Sequence, residues 1–359
     1  MLQIEQLESR FVPSVVLNPV PGVYAAITAD LPDETAEIQS VERQAPPHSV
    51  IEFIGHCQIT STIDWTIGID KNGNPGGLAP GFTLVGIGDA GIFGNFPSQL
   101  FERNAQGLNS TASFSARDLI FQNMDPNGTD LELEQVQDVR ITHDRFIGGG
   151  KGLVIGINRS NFTNQDITVE QCTFLGNQSL TPDYVGAWIS AGHADFLSNS
   201  FFACGIAASV AGQVNFIGFH MEENYIGLKL GNENGRQYRG LIEAGDMEAD
   251  VIPIQLNKPA FQVTLIGLNI YGDFFRGHGL TTDPLYAIDI ERGAAPGGLT
   301  VIGTSFTGSY VNAVIHSAST VAHLTFIGNF LQNQGRDGST VVWDLIDPSL
   351  LIEIGDVTQ

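Results

Sequence analysis

The sequence predicts an all-β fold, a single-stranded right-handed parallel β-helix of about ten stacked coils closed at its start by a short helical cap. Three observations carry this: a repeated phrase of two apolar residues and a glycine, a period of 20 to 28 residues between equivalent apolar positions, and strand-like alternation within each period.

The phrase occurs as Phe53-Ile54-Gly55, Leu84-Val85-Gly86, Phe216-Ile217-Gly218, Leu265-Ile266-Gly267, Val301-Ile302-Gly303 and Phe326-Ile327-Gly328. The best internal match sets His220–Leu230 over Asp246–Leu256, which pairs Met221 with Met247, Glu222 with Glu248 and Ile226 with Ile252. Taking the large apolar residue of that strand as a marker gives Met124, Phe146, Phe174, Phe201, Met221, Met247, Ile270, Phe306 and Leu331. The successive steps are 22, 28, 27, 20, 26, 23, 36 and 25, and the 36-residue step marks an insertion that contains Phe274–Tyr286. Leucine-rich repeats share this period but not its apolar phrase, and helical repeats do not tolerate this much glycine. Each coil instead pairs an alternating strand such as Ile167–Phe174 with a Gly or Asn turn and a second apolar run such as Ala187–Ser190.

Residues 1–49 are expected to be a leader and capping segment, and residues 50–359 the β-helix domain. Within Asp33–Gln44, Ala36, Ile38 and Val41 among charges predict one amphipathic helix, placed to cover the apolar cross-section of the first coil. No run of 18 or more apolar residues exists, so no segment is expected to insert into a membrane. The N-terminus also lacks the pattern of a classical signal peptide. Its Ile4–Ser14 stretch, IEQLESRFVPS, resembles the Leu-Glu-x-Arg-x-x-Pro-Ser leader of secreted or surface proteins in one bacterial group. That resemblance implies an extracellular or cell-surface location.

Hydrophobic residues make up 42% of the chain, enough to build a core, and 22 phenylalanines against 7 tyrosines suit a dry, ring-filled interior. Asp and Glu outnumber Lys and Arg by 39 to 16, a net charge of −23, which opposes phosphate backbones and excludes nucleic acid as an expected partner. Cys57, Cys172 and Cys204 stand in apolar contexts without Cys-x-x-Cys spacing, so buried thiols are expected.

The coils resemble the pectate-lyase-like right-handed parallel β-helix superfamily over about Val50 to Ile354, with Ile51–Trp65 (IEFIGHCQITSTIDW) and Phe82–Phe93 (FTLVGIGDAGIF) similar to its opening coils. The resemblance implies a carbohydrate-active protein, a polysaccharide lyase or glycoside hydrolase acting on an extended, neutral or acidic polysaccharide. Gly277-His278-Gly279 matches the Gly-His-Gly of polygalacturonases within that fold, but their Asn-Thr-Asp, paired Asp-Asp and Arg-Ile-Lys are absent here. Pectate lyases proper use calcium-binding aspartates and an arginine base, and no such pattern carries over. Arg145 and Arg276 stay without an assigned role.

Coils of a β-helix stack ~4.8 Å apart, so the residues on either side of each inward marker form outward columns. The column before the marker reads Asn123, Arg145, Thr173, Ser200, His220, Asp246, Asn269, Ser305 and Phe330. The one after it reads Asp125, Ile147, Leu175, Phe202, Glu222, Glu248, Tyr271, Thr307 and Gln332. Glu222, Glu248, His220 and Asp246 are therefore the catalytic candidates, and Tyr271, Asn269 and Phe202 the substrate-binding ones. Two carboxylates about 5 Å apart repel by roughly 3 to 4 kcal/mol at an effective dielectric of about 20, so a sheltered Glu222–Glu248 pair would share a proton or hold a cation. The plain alternative is a solvated strand face. No residue is assigned as a metal ligand.

A further column, Asn177, Cys204, Asn224, Asp250 and Asp273, reads as a hydrogen-bonded ladder at a bend. Were Asp250 and Asp273 to face outward they would suit calcium, the one cofactor the sequence raises. Asp125–Asp130 (DPNGTD) reads as an acidic turn rather than a calcium loop. Against the carbohydrate-active reading stands a non-catalytic one, a surface adhesin or spacer whose solenoid is its function.

Overall fold

The computed structural model describes residues 15–104, 111–156, 164–176, 183–231, 237–248, 250–257, 260–272, 284–294, 297–319, 323–333 and 341–358. Among them, 32 strands join one hydrogen-bonded network in which nearly every pairing is parallel and each strand pairs with its counterpart one coil away. The chain is a right-handed parallel β-helix with one short N-terminal helix.

A typical coil has three strands. Tyr238–Glu243 leads through a corner into the short strand Asp246–Glu248, and Ile252–Leu256 then completes the turn. The corner residue sits three positions before the marker and adopts positive φ in every coil from Asp118 onward: Asp118, His143, Gln171, Ser198, Gly218, Ala244, Gly267, Gly303, Gly328 and Gly355. The repeated glycine is thus a left-handed corner. Glycine meets no steric penalty there, which explains the phrase in the later coils.

The markers form one inward column: Cys57, Ile92, Phe121, Phe146, Phe174, Phe201, Met221, Met247, Ile270, Phe306 and Leu331, with the exposed Thr358 continuing their register at the last described coil. Phe121, Phe146, Phe174 and Phe201 stack face to face with centroids 5.4, 4.9 and 4.5 Å apart, filling the interior as the phenylalanine excess anticipated. Bends would strand backbone N–H groups inside, and buried polar side chains meet them. Asp144 accepts from Leu119 N, Asn199 from Cys172 N, and Asn329 from Thr304 N, each at 2.8 Å. The three cysteines are buried free thiols, and burial pushes Cys57 up to about 12.

Two expectations need correction. Met124 is not a marker: it is 39% exposed, and Phe121 occupies the inward position opposite Phe146. Asn123 and Asp125 consequently leave the outward columns, where Ile120 and Gln122 flank Phe121. The reason is that Phe121 and Met124 are both large apolar residues whose steps to Phe146, 25 and 22 residues, both fall inside the 20 to 28 period, so spacing alone does not separate them. Asn123 is buried and ties its amide to Phe96 O and Ser98 O.

The helix spans Thr35–Gln44 and buries Ile38 and Val41 as expected, but Ala36 is exposed and Glu42 takes an inward place. Burial, together with nearby Asp64, pushes the Glu42 carboxyl up to about 9. No described helix is long and apolar enough to cross a membrane.

Candidate functional site

The corrected register leaves the predicted patch intact. His220 pairs with Asp246 and Asp246 with Asn269 in one outward column, while Phe202, Glu222, Glu248 and Tyr271 follow one another in the next. Met221, Met247 and Ile270 point inward between them and are fully buried, so alternation alone turns the polar residues out. The corners at Gly218, Ala244 and Gly267 set the three short strands side by side.

His220 is the centre of the patch. Its Nε2 lies 3.3 Å from Glu222 Oε2 and its Nδ1 3.5 Å from Asp246 Oδ2, with side chains 32%, 37% and 45% exposed. Asn269 Nδ2 donates to Asp246 Oδ1 at 2.9 Å. The Phe202 ring stands 5.4 Å from the imidazole, tilted by 56°. The Glu248 carboxylate has no hydrogen-bond or ion-pair partner among the described residues, so the two stacked glutamates are not equivalent. One is oriented by a histidine and the other is uncommitted.

The ladder behind this patch is structural, as read. Asp250 is fully buried and its Oδ1 accepts from Asn224 N at 2.7 Å and Asn224 Nδ2 at 3.0 Å, while Asn224 Oδ1 accepts from Cys204 N at 2.9 Å. Burial pushes Asp250 up to about 7, with Glu222 and Glu223 adding to the rise. An Asp250 that faces inward cannot share an outward calcium, and this removes that alternative for Asp250. Asn177, Asp273, Arg276, the Gly277-His278-Gly279 tripeptide and the Ile4–Ser14 leader lie outside the described residues. Among the described residues, no group of three or more His, Cys, Asp or Glu has the geometry of a metal site. In Asp125–Asp130, Asp125 accepts from Asn127 N and Asp130 turns inward to accept from Asn123 N, which makes the segment an acidic turn.

Two features escaped the sequence. One is a groove of about 620 Å³ around Arg117, Asp118, Arg140, Thr142, His143 and Glu170, at the corner of the early coils. Arg140 Nη2 pairs with Glu170 Oε2 at 3.3 Å, and His143 Nδ1 stands 3.8 Å from Asp118 Oδ1. The signal was there in retrospect: polar side chains hold the left-handed corner where later coils use glycine. The other is an Asp–His pair on the third strand of the late coils. His316 Nδ1 meets Asp289 Oδ1 at 2.8 Å, Asp289 Oδ2 accepts from Gln255 Nε2 at 3.3 Å, and Tyr286 stacks on the imidazole at 4.7 Å.

No protein-family model matches this chain, and no curated protein matches it. Among solved structures the chain is similar to ORF18 of Geobacillus virus E2, with a TM-score of 0.51 and 12% identity over 92% of this chain. The chain spans 61% of that protein's length, and the likeness is one of fold.

Proposed function

We propose that this chain is an exported carbohydrate-active β-helix protein that hydrolyses an extended polysaccharide at the patch of His220, Glu222, Asp246 and Glu248. Tyr271, Phe202 and Asn269 hold the sugar. The observation that carries the reading is the pair of stacked glutamates, one fixed by His220 and one uncommitted. Glycosidic hydrolysis requires two carboxyl groups in different states, an acid that protonates the leaving oxygen and a carboxylate that acts on water or on the anomeric carbon. Aromatic rings beside the carboxylates suit sugar faces. The repeat grammar shared with the pectate-lyase-like superfamily supports the same substrate class.

Hydrolysis is favoured over β-elimination by charge. Elimination from a uronate needs a cation or proton donor on the substrate carboxylate, and three surface carboxylates would repel that group. Incubation with neutral and acidic polysaccharides, following both new reducing ends and the ultraviolet absorbance of unsaturated products, tests this. New reducing ends without unsaturated product are expected. Unsaturated product would replace hydrolysis by elimination, and retained binding with no product in either channel would favour the adhesin. One observation favours that second reading: His220 engages acids through both ring nitrogens, a use that knits coils together whether or not chemistry follows.

A further inference from the structure

The two outward columns continue from the patch toward the N-terminal coils with a changed chemistry. One reads Arg145, Thr173 and Ser200 before reaching His220 and Asp246, and the other reads Ile147, Leu175 and Phe202 before Glu222 and Glu248. A half-buried apolar row thus runs beside a row of hydroxyls, the pairing that sugar rings and their hydroxyl groups require. At the far end the charge reverses. Arg145 is exposed and has no carboxylate partner among the described residues, and Arg117 and Arg140 line the groove on the adjoining strand across the corner. Arg140 is paired with Glu170, whereas Arg117 has no such partner among the described residues. In a chain with 39 acidic against 16 basic residues, uncommitted arginines gathered in consecutive coils are out of balance with their surroundings.

We infer that the strip from Arg145 to Glu248 is one polarised glycan track, with an anion-binding subsite at its arginine end and a neutral-sugar subsite over its carboxylates. This rests on the carbohydrate reading and narrows it. Arg145 and His220 are three coil steps apart, about 14 Å along the axis at ~4.8 Å per step. The ligand is therefore a largely neutral chain with a carboxylate or sulfate ester about 14 Å from the sugar over His220. A uniformly anionic polymer would satisfy the arginines but set further anions on Glu222, Asp246 and Glu248. Guanidinium groups bind either anion through paired N–H donors.

Calorimetric titration decides it, with neutral pentasaccharides on xylose, glucose, mannose and N-acetylglucosamine backbones, the same chains bearing one glucuronate or one sulfate ester, and pentagalacturonate. A singly substituted chain is expected to bind at least about tenfold more tightly than its neutral parent, and pentagalacturonate more weakly than both. Comparing glucuronate with sulfate identifies the anion. In an Arg117→Gln/Arg145→Gln variant the preference for the substituted chain should fall to about one. Tightest binding of pentagalacturonate, or an unchanged preference in the variant, overturns the track while leaving the carbohydrate reading standing. Binding of none of these ligands to the wild-type chain overturns both.

Discussion

Glu222 and Glu248 share one outward column on neighbouring coils, but only Glu222 has His220 within 3.3 Å. The imidazole fixes the Glu222 carboxylate in place, whereas the Glu248 carboxylate makes no such contact and is free to turn toward a glycosidic oxygen laid over the strip. Glu248→Gln should therefore abolish hydrolysis, read as a loss of new reducing ends on the best polysaccharide. Stability should stay level or rise by up to about 1 kcal/mol in urea unfolding, because removing one of two like charges relieves repulsion at a half-buried site. A variant with full activity would make the patch a solvated strand face. A variant that is inactive and also strongly destabilised would mean that Glu248 holds the coil together instead.

At the scale of the element, the left-handed corner and the stacked interior make separate demands. Gly267 has φ +60 and a Cβ there would meet nothing within 4 Å, so Gly267→Ala isolates the cost of the backbone conformation from any clash. A loss of about 1 kcal/mol is expected, with Gly267→Asn milder because Asn tolerates that region. No measurable loss would show the corner to be indifferent to side chains. Phe174 is stacked between Phe146 and Phe201 and fully buried, so Phe174→Ala should cost about 3 to 5 kcal/mol in denaturant unfolding. The stacked interior also explains what could be read in advance. From Phe146 to Leu331 the columns are legible, because a large apolar residue recurs at a near-constant step within an alternating strand. In the coil before Phe146 two large apolar residues, Phe121 and Met124, both fit the period, and only the strand pairing of Phe121 with Phe146 distinguishes them. The Asp289–His316 contact was hidden differently. Gln255 and Asp289 are 34 residues apart and Asp289 and His316 are 27, so the insertion breaks the spacing that would have aligned their column.

Across the whole molecule, acidity acts on stability through two routes that salt can separate. The first is the net charge of −23, a surface repulsion that added salt screens. The second is a set of acids inside. Burial pushes Asp250 up to about 7, pushes Glu102 up to about 7 with help from Asp64 and Glu132, and raises Asp130 and Asp144 as well. A carboxyl whose folded-state pKa lies above its unfolded value of ~4 binds its proton more tightly when folded. Its stabilising effect is whole below ~4 and drains away as the pH rises through the folded value, after which the folded state carries an ionised buried group. The melting temperature should therefore fall from about pH 5 to about pH 8, and Glu42, at about 9, should extend the decline. Added salt should lift the whole curve at the alkaline end without flattening it, since buried groups are poorly screened. Asp250→Asn is the discriminating variant. The amide oxygen still accepts from Asn224 and the ionisable group is gone, while the amide Nδ2 takes the place of an oxygen that has no partner, so the slope should shrink and stability at about pH 8 should rise by on the order of 1–3 kcal/mol relative to wild type. If the wild-type melting temperature is flat or climbs over this range, or if salt alone removes the slope, the buried acids are not what sets it.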